Sequence, residues 1–380
     1  MLKKLKDQCY IVMGQSPSSK YYNQCNNGIP FLQGRKTFGD KYPKIDTWTT
    51  KPLKIGIKNS VLMSVRAPVG DVNIAPFDIC IGRGLASIKM KNNNNQYLYY
   101  LLTNNIENIK RKSSGTVFEA ISRSDLENLV LNFNSEEEQL KIEKILDNID
   151  KKIELNNKLN NNLQELILTL YKKFIEDNSE AEEATLEDCV KKIGTGADAI
   201  QRAPIVDYDT GIRCIRVGDM TNNRNCYEWG FAKMTDKDFN NYKLDIGDIV
   251  ITRTAVNGLS YLIEDSMNIV CNNGLIRLKV NENYNPLYIY LTMKTKDFYD
   301  YIHRIDSETS VRPNMKVDYL TSYKIKKISL EKQNQFCDMI KSMRQRQKEI
   351  EYENNNLTQL RDTLLPKLMN GEINLENIEI

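Results

Sequence analysis

The chain has 380 residues, of which 53 are Lys or Arg and 50 are Asp or Glu. That length suits two or three domains, each large enough for its own core, and the near balance of charge excludes a strongly basic protein while leaving room for a local basic face. No apolar run approaches the roughly 20 residues that span a bilayer, and the eight cysteines, without a Cys-x-x-Cys pair or a signal peptide before them, indicate reduced thiols in a cytoplasmic protein.

The chain contains two similar halves. The segment Asn161-Asn162-Leu163 returns 194 residues later as Asn355-Asn356-Leu357, and Thr169-Leu170 returns as Thr363-Leu364. Upstream, the matched pairs have a drifting offset, as insertions in loops would leave: Cys9 with Cys189, Gly14 with Gly194, Ser64 with Thr252, Ala67 with Ala255, Gly70 with Gly258, Gly84-Leu85 with Gly274-Leu275, Lys89 with Lys279, and Tyr100-Leu101 with Tyr290-Leu291. Two copies of a long unit make pseudo-two-fold symmetry available within one chain, which suits a target that also has two halves.

Each half opens with a mixed segment of strands and short helices. Residues 60–65 and Asp248–Thr252 are short apolar runs bounded by turn residues, which is typical of buried strands. Short helices are predicted at residues 96–102 and at Pro286–Thr292, the second with proline in its first turn. These segments predict an α+β fold.

Each half closes on a long predicted helix with a heptad seam, the row of core-facing positions spaced alternately by four and three residues. At 1.5 Å rise per residue, each helix would run roughly 50 to 60 Å. The seam positions are Ile142, Leu146, Ile149, Ile153, Asn156, Asn160, Leu163, Ile167 and Leu170 in the first helix, and Phe336, Ile340, Met343, Gln347, Ile350, Asn354, Leu357, Arg361 and Leu364 in the second. Asparagine in a seam can set register and orientation, so we expect the two seams to pair with each other. The alternative is two unrelated amphipathic helices, each packed on its own domain.

Patterns that suggest catalysis have simpler explanations. His303 is the single histidine, which removes most metal and triad arrangements and leaves a solvated or helix-packed side chain. Residues 13–20 superficially resemble a phosphate loop, but they lack the second glycine before the lysine, and Pro17 would break the turn into a helix. The run Asn285-Pro286-Leu287-Tyr288 is similar to the tetrad with which amino-methyltransferases hold a flipped base, but its second proline is missing and residues 95–98 of the first half have no proline at all. We therefore predict a helix start there.

Several motifs in order along the chain resemble one known family. Four of them look like target recognition domain motifs of the specificity subunit of type I restriction-modification systems: Met13-Gly14-Gln15-Ser16-Pro17, Gly28-Ile29-Pro30-Phe31-Leu32-Gln33-Gly34, Ser64-Val65-Arg66-Ala67-Pro68-Val69-Gly70 and Cys80-Ile81-Gly82-Arg83-Gly84-Leu85-Ala86. The end of the second long helix resembles the close of that family's distal helical region: Thr363-Leu364-Leu365-Pro366-Lys367-Leu368-Met369-Asn370-Gly371-Glu372-Ile373. The resemblance spans essentially the whole chain. It departs from the family before each long helix, where residues 132–139 and 326–333 lack the prolines of a common Pro-rich motif.

The resemblance implies an α+β fold with two pseudo-symmetric α/β target recognition domains separated by two long antiparallel coiled-coil-like helices. We assign residues 1–134 to the first recognition domain, 135–178 to a central helical spacer, 179–328 to the second recognition domain and 329–380 to a distal helical spacer. The acidic linker at residues 177–183 and the stop at Gly371 agree with these divisions.

The resemblance also implies a non-catalytic reader of double-stranded DNA. Each recognition domain would read one half of a bipartite site, and the helices would recruit two modification subunits. No cofactor or metal is expected in this chain, because S-adenosylmethionine and adenine-N6 methyl transfer belong to the modification subunit. A restriction subunit is a further candidate partner, and no membrane is expected among the partners.

Comparison of the halves suggests where DNA specificity lies. Matched positions should be scaffold, whereas positions that differ and carry hydrogen-bond donors or acceptors are candidates for base contacts. These candidates are Gln33, Arg35, Lys36, Arg66 and Arg83 in the first domain, and Arg216, Arg253, Asn257, Arg312 and Asn314 in the second. For each of them a contact to phosphate or solvent is the competing interpretation, since phosphate and sugar take at least half of protein–DNA hydrogen bonds.

Two other classes of function stay open at this point. One is a self-contained nuclease or methyltransferase with a duplicated domain, which would modify or cut DNA without a partner. The other is a helical scaffold that joins partners other than DNA, which would bind a modification subunit without shifting DNA.

Overall fold

The computed structural model describes residues 1–113, 120–308 and 315–375. Two of the candidate base contacts, Arg312 and Asn314, lie outside the described residues. The chain forms two compact units, one made of Met1–Leu155 with the segment from Asn356 onward, and the other made of Asn156–Asn355. The four-segment division at residues 134, 178 and 328 stays a prediction.

The first copy of the repeat contains eleven strands and five α-helices among its described residues. Its strands are β1 (Leu2–Lys4), β2 (Cys9–Met13), β3 (Tyr22–Asn23), β4 (Ile29–Leu32), β5 (Trp48–Thr49), β6 (Ile55–Gly56), β7 (Val61–Ser64), β8 (Val72–Ile74), β9 (Ile79–Ile81), β10 (Leu85–Met90) and β11 (Val130–Asn132). Its helices are α1 (Leu5–Gln8), α2 (Asn95–Asn104), α3 (Ile106–Ser113), α4 (Arg123–Glu127) and the long α5 (Glu136–Asp177).

The second copy also contains eleven strands among its described residues. They are β12 (Glu183–Thr185), β13 (Val190–Thr195), β14 (Ile205–Val206), β15 (Arg213–Ile215), β16 (Phe231–Ala232), β17 (Lys243–Leu244), β18 (Asp248–Thr252), β19 (Ser260–Leu262), β20 (Ile269–Cys271), β21 (Leu275–Val280) and β22 (Lys324–Lys326). Its helices are α6 (Val217–Thr221), α7 (Asp236–Tyr242), α8 (Pro286–Thr292), α9 (Lys296–Glu308), α10 (Val317–Thr321) and the long α11 (Leu330–Met369). Short 3-10 turns lie at Ser19–Tyr21, Arg35–Thr37 and Glu187–Cys189.

The two copies have the same sheet topology. In the first, the sheets run β1-β11, β2-β10-β7-β8 and β3-β5-β4-β9-β6, and in the second they run β12-β22, β13-β21-β18-β19 and β14-β16-β15-β20-β17. Strand by strand, the orders are identical. This confirms the duplication and the α+β fold, and it gives each strand of one copy a structural counterpart in the other.

Sheet register corrects two of the matched pairs. Cys9 pairs with Met90 across β2 and β10, and the corresponding partner of Val280 in the second copy is Val190, not Cys189. An irregularity in β13 between Val190 and Lys192 then adds one more residue to the offset of everything after it.

The counterpart of Gly14 is therefore Gly196, not Gly194. The amide of Gly14 donates to Leu85 O at 2.9 Å, and that of Gly196 donates to Leu275 O at 3.1 Å. A Cβ at either glycine would collide with backbone carbonyl oxygens, whereas nothing would meet one at Gly194. Glycine is needed where the strand passes this close to the neighbouring turn.

The long helices α5 and α11 pair antiparallel in both units. In the first unit, Ile142 and Leu146 share a core with Leu365, Leu368 and Met369. In the second, the rings of Phe174 and Phe336 stack at 4.6 Å, and the Asn156 side chain donates to Asn354 Oδ1 at 2.9 Å. The predicted seam is thus confirmed, including its buried asparagine.

Matched glutamines bind the chain just before each long helix. Gln139 Nε2 donates to Asn134 O at 3.0 Å, and Gln333 Nε2 donates to Ile328 O at 2.7 Å. Both side chains are buried. Hydrogen bonds from these glutamines hold the chain where the helix begins, in the same segments that lack the family's prolines.

The short predicted elements are confirmed where their local signals are strong. The strand Asp248–Thr252 and the helix Pro286–Thr292 have the predicted bounds, and the other strand and helix lie within two residues of theirs. In the described part of the chain, none of the helices has the length and hydrophobicity to cross a membrane.

Candidate nucleic-acid interface

The second unit contains an open, polar cleft of about 430 Å³. It forms where β15 and β18 end and where β20 turns into β21. Two backbone hydrogen bonds join these ends: Asn272 N donates to Ile215 O at 3.2 Å, and Arg253 N donates to Gly274 O at 3.0 Å. The lining residues are Arg216, Val217, Gly218, Arg253, Thr254, Asn272, Asn273 and Gly274.

The first unit has the same backbone frame at the ends of β4 and β7 and the turn between β9 and β10. Gly82 N donates to Leu32 O at 2.7 Å, and Val65 N donates to Gly84 O at 2.9 Å. The side chains on this frame differ between the copies. By register, the matched pairs are Gln33 with Arg216, Val65 with Arg253, Arg66 with Thr254, and Arg83 with Asn273.

Three of the first-domain candidates are free at this surface. Gln33, Arg66 and Arg83 are exposed, and their side chains make no hydrogen bond or ion pair to any other described residue. The backbone of Arg83 is held in its turn by a 3.1 Å hydrogen bond from its amide to Ser16 Oγ. The structure thus brings three donor side chains to one frame, available to a ligand.

The other two first-domain candidates lie on the 3-10 turn that follows β4. Arg35 forms an ion pair with Asp71 while remaining partly exposed. Lys36 is exposed, and its charge suits a phosphate as well as a base.

In the second domain, Arg216 is held by a buried carboxylate. Asp219 is 1% exposed, and its Oδ2 accepts from Arg216 Nε at 3.2 Å while its Oδ1 accepts from Arg224 at 3.3 Å. Asp219 also accepts the Arg216 amide at 3.0 Å. These hydrogen bonds hold the Nε side of the Arg216 guanidinium against Asp219. The other side of the guanidinium is left at the cleft for a ligand.

The remaining second-domain candidates differ in access. Arg253 is half-buried and lines the cleft. Asn257 is 7% exposed, as its counterpart Val69 is 4% exposed. Burial at both positions argues that Asn257 is part of the scaffold, against our candidate base contact.

Sequence reasoning missed Asp219, Asn272 and Asn273. Asn273 is exposed, and the 190-residue offset that matches Gly84 with Gly274 also places it opposite Arg83, so the comparison of halves could have found it. Asn272 Oδ1 is buried without a hydrogen-bond partner among the described residues. Asp219 gives no signal of its own, because a carboxylate three residues after Arg216 is also typical of any helix start.

The patterns that suggested catalysis are structural. Asn285 caps α8, since its Oδ1 accepts from Leu287 N at 2.9 Å. Residues 13–20 pass from a strand into a three-residue 3-10 turn and not into a phosphate-binding helix. His303 is exposed on α9 and packs edge-on against Tyr299. In the described ranges, no group of His, Cys, Asp or Glu could hold a metal ion.

Comparisons with known proteins agree with this architecture. The family model described as the type I restriction modification DNA specificity domain matches residues 1–165 and again residues 178–359. A putative type I restriction enzyme MjaX specificity subunit of Methanocaldococcus jannaschii is 47% identical over 150 residues, which cover 39% of this chain and 35% of that protein. The type I restriction enzyme MjaIX specificity subunit of the same organism is 30% identical over 188 residues, covering 46% of this chain and 44% of that protein. The matched segment thus spans less than half the length of either relative.

A solved structure extends the likeness of fold to nearly the whole chain. The S subunit of a type I restriction-modification system from M. genitalium superimposes with a TM-score of 0.56 at 19% identity, over 97% of this chain and 95% of that one.

Proposed function

The chain belongs to the family of type I restriction-modification DNA specificity proteins, and we propose that it reads a bipartite DNA site through two matched surfaces, one in each recognition domain. The observation that carries this proposal is the shared backbone frame with different side chains. The frame presents Gln33, Arg66 and Arg83 in the first copy and Arg216, Arg253 and Asn273 in the second.

The chemistry of these side chains suits base edges in the major groove. Arginine donates two parallel hydrogen bonds to guanine, and Asn or Gln does the same with adenine. Because the backbone frame is the same in both copies and only the donor side chains differ, the two copies would read different half-sites with the same geometry. A net charge of only +3 is acceptable if partner subunits supply much of the phosphate contact.

We propose further that this chain performs no chemistry itself. Methyl transfer to adenine N6, with S-adenosylmethionine as donor, would belong to a modification subunit. A restriction subunit would join the same assembly where the system cuts DNA.

Two matched leucines support recruitment of two copies of that modification subunit. Leu166 on α5 is 45% exposed and Leu360 on α11 is 48% exposed, and they are related by the same 194-residue offset as the rest of the helices. An exposed apolar side chain at the same place in both copies is expected where one kind of partner binds twice.

Native mass spectrometry of the chain with its cognate modification subunit tests this proposal. We expect the unmodified chain to bind two modification subunits. Either Leu166→Glu or Leu360→Glu should leave a complex with only one modification subunit. Leu140→Glu is the control, because this exposed leucine has Asn334 as its counterpart. A one-to-one complex of the unmodified chain at saturating partner, or DNA methylation by the chain alone, would contradict the proposal.

A further inference from the structure

Each recognition domain contacts its long helix through charged groups around a matched tyrosine. In the first unit, Tyr100 OH donates to Asp150 Oδ2 on α5 at 2.5 Å. Lys41, from the loop between β4 and β5, places its Nζ 3.0 Å from Asp150 and 2.8 Å from Asp147. The recognition domain thus supplies the cation and the helix supplies the acids.

The second unit has the opposite arrangement of charge. Arg344 on α11 lies over the ring of Tyr290 with 5.6 Å to the centroid, and its guanidinium forms an ion pair with Glu264 at 2.5 Å. Lys348 Nζ lies 3.2 Å from Asp265 Oδ1. Here the recognition domain supplies the acids and the helix supplies the cations.

On the long helices, the reversed charges lie at equivalent positions. Tyr100 and Tyr290 belong to the matched helices α2 and α8, and Asp150 and Arg344 are separated by the 194-residue offset of the long helices. Lys41 and Glu264 come from different loops, but both lie near the end of the same strand: Lys41 O accepts from Ile74 N at 2.8 Å at the end of β8, and Glu264 follows β19, the counterpart of β8.

Because these charged side chains are buried, each site discriminates between a partner of opposite charge and one of like charge. The side chains of Lys41 and Asp150 are 13% and 11% exposed, and that of Arg344 is 15% exposed. A like charge placed against any of them would be poorly screened and would lack its partner. Each site therefore selects its own domain mainly because a domain with the wrong charge docks poorly. The stability that the correct ion pairs add is the smaller effect.

We propose that Asp150 and Arg344 act as a charge code that determines which recognition domain can dock on which long helix. The acidic site on α5 accepts a domain with a cation at the Lys41 position. The basic site on α11 accepts a domain with an acid at the Glu264 position. Neighbouring charges complete each site, since Asp150 also binds Arg361 at 3.1 Å, Asp147 also binds Lys151, and Glu351 lies close to Arg344.

Thermal unfolding of the full chain tests the code in place. Lys41→Glu should lower the unfolding temperature by several degrees, and Lys41→Met should lower it less, because only the first places like charges together. In an Asp147→Asn/Asp150→Asn background, the drop caused by Lys41→Glu should shrink to less than half. Lys54→Glu, on an exposed lysine of the same domain, should have no effect. Equal drops from Lys41→Glu in both backgrounds would overturn the proposal.

A domain graft tests the code between the two positions. In a chain whose residues 179–328 are replaced by a second copy of residues 1–134, the grafted Lys41 would face Arg344 and Lys348. Lys41→Glu in the graft should slow proteolysis of that domain at least tenfold, and equal cleavage of the two grafts would contradict the code. If neither graft folds, the in-place comparison decides. Neither readout requires DNA or a partner subunit, so failure here is distinct from failure of the proposed function.

Discussion

Gln33 and Arg216 occupy the same position in the two copies of the fold. Each follows the strand whose last carbonyl accepts a hydrogen bond from the neighbouring turn, Leu32 O from Gly82 N in the first copy and Ile215 O from Asn272 N in the second. The backbone at this position is the same in both copies, and only the hydrogen-bonding side chain differs. This relationship is what two readers of different half-sites require, since both must fold alike while contacting different bases.

Asp219 should act as a positioning residue for Arg216. Asp219→Asn keeps the shape but removes the charge that holds the guanidinium, so we expect the assembly to lose about 1 to 3 kcal/mol of discrimination at one base of the second half-site. Binding to duplexes with single base changes measures this. Asp71→Asn is the matched control, because Asp71 holds Arg35 and should affect the first half-site. Equal loss in both half-sites from Asp219→Asn would mean a general effect on folding.

The two recognition domains should read independently. Exchange of residues 1–134 for the first domain of another family member should change one half of the methylated motif and leave the other unchanged. The code at Asp150 requires a cation at the position of Lys41 in the incoming domain. Changes in both halves would show that the domains are not separate modules.

The long helices should set the gap between half-sites. Insertion of seven residues between Asn156 and Asn160 keeps the seam in phase and adds about 10.5 Å to α5. With a matching heptad in α11 between Ile350 and Asn354, we expect the same half-sites with a longer gap, since one base pair adds about 3.4 Å. Four-residue insertions shift the seam and should abolish assembly. Methylation mapping gives the gap, and an active assembly with an unchanged gap would exclude this role.

Stability should fall with rising pH through the titration of Glu351. Burial raises the pKa of Glu351 to about 6, against the opposing effect of Arg344, from the ordinary 4.5. The folded state binds this proton more tightly than the unfolded state does. The proton's contribution to the free energy of unfolding is therefore fully present below pH 4.5, and about 2 kcal/mol of it is lost as the pH rises to 6 and above. Glu351→Gln should therefore be more stable than the unmodified chain at pH 8, with the difference vanishing toward pH 4.5. Urea unfolding at both pH values measures it, with exposed Glu349→Gln as the control.

The features that sequence predicted are those encoded by local periodicity. The seams of α5 and α11 and the strand at Asp248–Thr252 follow from spacing alone. The pairing of Gly14 with Gly194 is wrong by two residues, because the strand register starts one residue later than the matched cysteines suggest and an irregularity in β13 adds a second, and neither shift is visible in the sequence. The burial of Asn257 and the contact of Lys41 with Asp150 depend on distant segments meeting, which no local pattern contains.

Mapping of methylated adenines by single-molecule sequencing, in cells that carry this chain with its cognate modification subunit, tests most directly whether the matched positions read separate half-sites. We predict that Gln33→Arg changes a base only in the first half of the motif and that Arg216→Gln changes a base only in the second, with the gap constant. If both variants leave the motif unchanged, or if either one alters both halves together, Gln33 and Arg216 are not base-reading positions of two separate readers.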